Sequence, residues 1–141
     1  MPLHTLRLAT TDDVEDLVAI DYDLFPDNNF NERTLHNQLE VGTGWLLFVD
    51  EKLAGYVLCS GVGTPLVDIL RLGVREPYRT VGIGTVLLRV VLDLGVDVML
   101  SVRKGNDPAI NLYLKHGFEI AGTMPQHYSW VMRRSVKKTS S

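Results

Sequence analysis
The sequence predicts an α/β domain: one mixed, twisted sheet of six to seven strands flanked by about four helices. Short apolar runs of strand length alternate with segments of helical period along the chain. A glycine-bearing turn, Arg79-Thr80-Val81-Gly82-Ile83-Gly84, stands between an apolar strand and an apolar helix. Further on, Asp107-Pro108 and Gly117 have the chemistry of a helix start and stop. Strands linked through helices run parallel and strands linked by tight turns run antiparallel, so the sheet is mixed.

The elements follow in order. Leu6-Arg7-Leu8-Ala9 reads as a short strand, and Thr11 or Asp12 caps a helix through Tyr22, with Val14, Leu17, Val18 and Asp21 on adjacent turns. Phe25-Pro26-Asp27-Asn28-Asn29 is a loop by composition, and Asn31 to Glu40 is a second helix with Leu35 and Leu39 one turn apart. Trp45 to Val49 and Leu53 to Ser60 form a hairpin about Asp50-Glu51-Lys52. Leu66 to Val74 is a buried strand interrupted by two charges, Asp68 and Arg71, and Thr85 to Leu94 is a helix. Val98 to Val102 is a strand, after which Asp107 serves as N-cap with Pro108 at the first helical position. That helix stops at Gly117, Phe118-Glu119-Ile120 opens the next strand, and Gly122 to Pro125 joins it to a last strand over His127 to Met132.

A chain of 141 residues, 45% of them hydrophobic, is expected to form one domain over residues 1–134, with 135–141 as a flexible tail. A net charge of −3 offers no overall attraction to nucleic acid or to an anionic membrane. Arg133, Arg134, Lys137 and Lys138 are locally basic and read as a solvated tail. Cys59 stands alone, which excludes an internal disulfide and fits a reducing cytoplasm; its place in an apolar strand marks a buried thiol rather than a nucleophile. The start, Met1-Pro2-Leu3-His4, lacks the pattern of a signal peptide, and no apolar run has the length of a membrane span. His4, His36 and His116 show no metal-ligand spacing with one another or with Cys59, so no metal site is expected; His116 suits a helix C-terminus.

The glycine turn carries the chemistry. A turn that opens a helix presents unpaired N–H groups at the positive end of the helix dipole, a setting for a pyrophosphate. A P-loop requires Gly-Lys-Ser/Thr, but Thr85 follows Gly84 directly; a dinucleotide fingerprint requires a small residue where Leu87 stands. What remains is Arg-x-x-Gly-x-Gly over Arg79 to Gly84, followed by Asn106, Ala109-x-x-Leu112-Tyr113 and Gly117-Phe118. These motifs, in this order, resemble the GNAT superfamily of N-acetyltransferases, and the Phe25-Pro26 loop is similar to the ribosomal-protein-alanine N-acetyltransferases. The resemblance implies the GNAT fold and acetyl-CoA as the acetyl donor. By the same resemblance Leu72, Gly73, Val74, Arg79, Thr80, Val81, Gly82, Ile83, Gly84, Thr85, Asn106 and Tyr113 hold the cofactor. The thioester is then expected in a split between the strand ending near Val74 and the one ending near Val102.

Acetyl transfer to an amine needs a base for the ammonium proton, a donor for the developing oxyanion and an acid near the departing sulfur. The resemblance gives the donor to main-chain N–H groups around Leu72 to Val74 and the acid to Tyr113, for which packing with Leu112 and Phe118 is the alternative. Ribosomal-type enzymes carry a glutamate base in Leu-Glu-Val-Arg; here the segment is Leu100-Ser101-Val102-Arg103, and a serine hydroxyl cannot replace a carboxylate. Counting back from Val74, as the histone-type enzymes suggest, arrives at Asp68. Desolvation by Leu66 and Leu70 on its own face would suit it as a base; a solvent-facing aspartate, or one paired with Arg71, is the alternative. Asn106 contacts CoA on the resemblance and enters a helix on the residues alone.

Phe25, Asp27, His127 and Tyr128 are the expected acceptor-site residues. Asp21, Asp23 and Asp27 form an acidic group that would attract a cationic amine or simply be solvated. The acceptor stays open between a protein N-terminus or lysine, which the Phe25-Pro26 loop favours, and a small amine. A non-catalytic acyl-CoA-binding module is a further alternative, and monomer and homodimer are equally open.

Overall fold
The computed structural model describes residues 2–79 and 81–136. Thr80, Lys137, Lys138 and the rest of the expected tail from residue 137 lie outside the described residues. Seven strands form one sheet: β1 (His4–Leu8), β2 (Thr43–Val49), β3 (Lys52–Ser60), β4 (Leu66–Val74), β5 (Asp97–Arg103), β6 (Glu119–Met124) and β7 (Ser129–Arg134). Their order across the sheet is β1-β2-β3-β4-β5-β7-β6. Four α-helices cover it: α1 (Val14–Leu24), α2 (Glu32–Val41), α3 (Ile83–Leu92) and α4 (Asp107–Lys115). Only β4 and β5, joined through α3, form a parallel pair; the other neighbours are antiparallel. The sheet is therefore mixed, as expected. β5 and β6, joined through α4, run in the same direction, but β7 inserts between them.

Two cores form because strand side chains alternate between faces. On one face Leu47, Val57, Val67, Ile69, Leu100 and Met132 pack with Ile83, Leu87 and Leu88 of α3 and with Tyr113 and Phe118 at the α4 end. On the other, Leu46, Tyr56 and Leu58 pack with Val14, Leu17 and Ile20 of α1 and Leu35 of α2. The hairpin turn between β2 and β3 has positive φ at both central residues, Asp50 (49°) and Glu51 (68°). That is the backbone of a type I′ turn, whose twist matches the strands it joins.

Several local boundaries differ from the expectation. Thr10, not Thr11 or Asp12, caps the first helical segment: its side chain accepts from Asp12 N–H at 3.3 Å while Asp13 accepts from Thr10 N–H at 2.8 Å. This reciprocal box precedes a 3-10 turn over Thr11–Asp13 that runs into α1. Asn106, not Asp107, caps α4, accepting from Ala109 N–H at 3.3 Å. Gly122 lies inside β6; the β6–β7 connection is the 3-10 turn Pro125–His127 followed by Tyr128 in the left-handed region at φ 48°. The α4 helix ends as expected, with Gly117 at φ 89° and the His116 Nδ1 2.8 Å from the Leu112 carbonyl oxygen.

Gly73 is one position where a glycine is required by packing. A Cβ there would lie 2.8 Å from Cε1 of Tyr56 and 2.9 Å from Cδ1 of Leu24. Tyr56 is fully buried and its hydroxyl is hydrogen-bonded to Asp21, so its ring has no room to retreat. Gly73→Ala should therefore destabilise the fold by about 1–3 kcal/mol, as overpacking does. A lower urea midpoint at unchanged slope would show it, and an unshifted midpoint would mean that Tyr56 can yield.

Candidate active site
The site begins with one extra residue in β4. Opposite β3, Arg71 partners Leu58 and Ile69 partners Cys59, so Leu70 has no partner and forms a β-bulge. A bulge bends its strand and increases the local twist. On its other side β4 pairs with β5 only from Leu66 to Ile69, matched to Asp97 to Leu100. Beyond that point the two strands diverge, leaving residues 70–74 of β4 and 101–103 of β5 unpaired with each other. This is the split expected near Val74 and Val102.

The free edge of β4 can be assigned residue by residue. Arg75 N–H donates to the Ala54 carbonyl at 2.8 Å. Hydrogen-bonded pairs alternate along an antiparallel ladder, so Gly73 with Tyr56 and Arg71 with Leu58 face β3. The backbone groups of Leu72 and Val74 consequently point into the split, while their side chains pack on the α3 side. The Val74 carbonyl is taken by Arg79 Nε at 3.0 Å, which folds the Arg79 side chain back over the strand end.

At the mouth of the split Gly82 has φ 83° and ψ 11° and caps α3 without a side-chain bond. The first intrahelical bond runs from Val86 N–H to the Gly82 carbonyl. The N–H groups of Ile83, Gly84 and Thr85 precede it and have no intrahelical acceptor. Val81 is exposed beside them. An extended, amide-bearing chain could complete the β4 edge and an anion could sit on these N–H groups.

Asp68 and Tyr113 lie on opposite faces of the sheet. Asp68 partners Ser60, two residues on from Leu58, which belongs to the α1–α2 core. Its β5 partner is Met99, between Val98 and Leu100 of the α3–α4 core, so Asp68 projects to the α1–α2 side. It is half-buried, makes no hydrogen bond or ion pair with another described residue, and its pKa is raised by desolvation. The flanking residues do less of this than expected, because Leu70 is exposed and Leu66 only partly buried. Arg71 does not pair with Asp68; it is bound to Asp21.

Tyr113 belongs to the α3–α4 core, its ring centroid 5.6 Å from that of Phe118. Burial pushes its hydroxyl up to about 12. That hydroxyl has no protein partner among the described residues, and no buried side-chain oxygen there is left unsatisfied, so it opens to solvent. α3 and α4 approach each other beside the split: a Cβ on Gly84 would be 3.8 Å from Leu112, the residue before Tyr113.

The other expected residues fall into three groups. Phe25 packs on the Arg71 guanidinium, at 4.2 Å, over the α1–α2 face, and Asp27 is exposed beside it. Asp21 corrects the expectation of a solvated or amine-attracting acidic group. It is fully buried and accepts from Tyr56 Oη at 2.5 Å, Phe30 N–H at 2.7 Å and Arg71. Asp23 pairs with Arg75 at 3.2 Å. His127 and Tyr128 are exposed in the β6–β7 turn rather than in a strand. Tyr128 is tied to the end of β5, where Lys104 N–H donates to its carbonyl at 3.0 Å and the Lys104 ammonium lies 4.3 Å from the Trp130 ring. Ser101, on the same β5 face as Met99, donates to the Met124 sulfur at 3.1 Å. Sequence reading passed over Tyr56, Arg71 and Phe30 as site-forming groups; an arginine within an otherwise apolar strand was the available signal.

The family model described as "Acetyltransferase (GNAT) family" matches residues 11–118. The chain belongs to this family. It is an N-acetyltransferase that takes its acetyl group from acetyl-CoA. Across 85% of the chain and 77% of the relative it is 31% identical to N-alpha-acetyltransferase 50 of Danio rerio. The Arabidopsis thaliana Naa50 structure, in complex with the bisubstrate analogue CoA-Ac-MVNAL, is similar at 27% identity and TM-score 0.83, over 94% of this chain and 98% of that one. The ribosomal-protein-S18-alanine N-acetyltransferase of Escherichia coli shares the fold, with TM-score 0.84 at 23% identity over 99% of this chain and 97% of that one. Among the described residues no helix is long and apolar enough to cross a membrane.

Two measurements test the site. A carboxyl whose pKa is raised on folding binds its proton more tightly in the native state, so stability falls as pH rises through that range. Asp68→Asn should thus melt higher than wild type at neutral pH, with the gap closing below the ordinary aspartate value of about 3.9. A mutant no more stable at neutral pH would contradict the desolvation of Asp68. Gly82→Glu should weaken acetyl-CoA binding at least about tenfold in calorimetry relative to Gly82→Ala, which carries the same left-handed strain without the charge. Equal affinities would remove the Gly82 turn from the anion site.

Proposed function
We propose that the chain acetylates the α-amine of a protein N-terminus, with Asp68 as the base and Tyr113 as the donor to the departing sulfur. The observation that carries this reading is the position of the two side chains on opposite faces of one sheet, beside a split that opens to both. An amine approaching from the α1–α2 side meets Asp68, while the sulfur of a thioester lying on the α3–α4 side is within the domain of Tyr113. The pantetheine of acetyl-CoA would complete the β4 edge at Leu72 and Val74, and its pyrophosphate would rest on the N–H groups from Gly82 to Thr85.

The amine nitrogen attacks the thioester carbon, the C–N bond forms and the C–S bond breaks. Its surplus proton passes to the Asp68 carboxylate, through a water where the short side chain falls short. The carbonyl oxygen gains charge and takes hydrogen bonds from main-chain N–H groups of Leu72 or Val74. Tyr113, at about 12, stays protonated and donates a hydrogen bond to the sulfur. Full transfer to a thiolate of ordinary pKa, about 8.5, is uphill, so the tyrosine stabilises the leaving charge rather than surrendering its proton outright.

The acceptor class follows from the weakness of this base. With Ser101 on β5 and Asp21 tied to Arg71 and Tyr56, Asp68 is the carboxylate on this face of β4 that no ion pair occupies. An α-amine, with pKa about 7.7–8.0, is partly neutral at neutral pH, whereas a lysine at about 10.4 needs far stronger assistance. The peptide portion of the analogue bound to Arabidopsis Naa50, and the α-amine specificity in the name of the zebrafish relative, support the same choice. The buried, unpaired thiol of Cys59 fits a reducing, cytoplasmic setting.

A peptide beginning Met-Val should be acetylated at its N-terminus by the wild type. Asp68→Asn should lower kcat/KM by about 10²-fold or more, within the usual contribution of a general base, with acetyl-CoA affinity retained. Tyr113→Phe should lower kcat and leave the peptide KM near its wild-type value. Full rate in both variants would reject these roles, and acetylation of spermidine in preference to the peptide would reject the acceptor.

A further inference from the structure
Arg71 sits in a setting that neither acetyl-CoA binding nor proton transfer explains. Its side chain is only 9% exposed and its guanidinium lies between two aromatic rings, 4.2 Å from the Phe25 centroid and 4.1 Å from the Phe30 centroid. Edge-on it forks: one nitrogen reaches both Asp21 oxygens, at 3.2 and 3.4 Å, and the other donates to the Asn28 carbonyl at 3.0 Å. Asp21 in turn accepts from Tyr56 Oη and from Phe30 N–H. Phe25 N–H is itself bonded to the Asp21 carbonyl at 2.8 Å. One guanidinium and one carboxylate therefore fasten the loop between α1 and α2 at Phe25, Asn28 and Phe30.

We propose that Arg71 is a positioning residue for the acceptor: it holds the Phe25–Phe30 loop against β4 as the wall of the amine-binding side. The inference rests on the reading that the amine enters from the α1–α2 face. Arg71 lies on that face because its partner across β3 is Leu58, and it stands three residues beyond Asp68 on the stretch of β4 that faces the split. The arrangement suits a planar, forked cation, which can lie against two rings while its nitrogens reach Asp21 and the Asn28 carbonyl. An ammonium can keep the charge pair with Asp21 but neither the stacking nor the fork. The pair also cancels its own charge, so Asp68 keeps its carboxylate for the incoming amine without competition from Arg71.

The test compares Arg71→Lys, Phe30→Leu and Phe30→Tyr with wild type. Both a Met-Val peptide and spermidine are offered, and kinetics are read on whichever amine the wild type acetylates. Arg71→Lys and Phe30→Leu are expected to raise the acceptor KM by about tenfold or more, with kcat changed far less and the acetyl-CoA dissociation constant unchanged. Phe30→Tyr keeps an aromatic face over the guanidinium and should restore the KM. Hydrogen exchange should show faster exchange of the 25–30 amides in Arg71→Lys than in wild type, with β2 and β3 unaffected. Wild-type acceptor KM in both Arg71→Lys and Phe30→Leu would overturn the proposal, as would an equal loss in kcat, KM and acetyl-CoA affinity. Turnover of spermidine alone would overturn the N-terminal acceptor while the same KM comparison still decides the role of Arg71.

Discussion

β4 has to pair with β3 along nearly its whole length yet leave β5 after four residues, and the unpaired Leu70 is how it does both. The bulge turns the second half of the strand away from β5, so the edge at Leu72 and Val74 is left unpaired by β5, with the Val74 carbonyl taken instead by Arg79 Nε. It also changes which side chains share a face. In a regular strand two residues three apart point to opposite sides; with one residue bulged between them, Asp68 and Arg71 both face α1 and α2. The proposed acceptor wall and the proposed base therefore depend on the same single-residue irregularity.

The two faces of the sheet differ in kind. The α3–α4 face is apolar, with the N-terminal N–H groups of α3 at one end and a buried tyrosine whose hydroxyl is pushed up to about 12. On the α1–α2 face sits a buried polar knot of Tyr56, Asp21 and Arg71 whose members are all mutually satisfied. Such a knot is a poor source of net stability, because the desolvation of two charges offsets much of their attraction. Its geometric demands are strict, however, and a loop tied to it at three points has one available position. Asp68 is the group left out of the knot, half-buried and without a hydrogen bond or ion pair to another described residue, as the base role proposed for it requires.

Much of the fold was legible in the chain because its signals are local. Alternation and period marked the strands and helices, the glycine at Gly82 marked the left-handed turn ahead of α3, and Gly117 marked the end of α4. The misplaced boundaries share a cause. Thr10 or Thr11, Asn106 or Asp107 are neighbours with similar capping chemistry, and residue type alone does not choose between them. Gly122 resembles a turn residue, but in β6 it pairs with Val131 just after the unpaired Ala121, so the turn lies further on.

By itself the sequence determined the fold class, the glycine turn that opens α3, the candidates proposed as acid and base, and the absence of a carboxylate at Ser101. Each of these is a matter of residue type at a short spacing. Only the tertiary structure decided that Asp21 is a buried anchor rather than part of a solvated acidic group, and that Arg71, 50 positions further along the chain, is its partner. The same holds for the bulge at Leu70, which exists only in relation to the register of β3. Burial and pairing are properties of what surrounds a side chain, and for these residues the surroundings come from strands and loops distant in the chain.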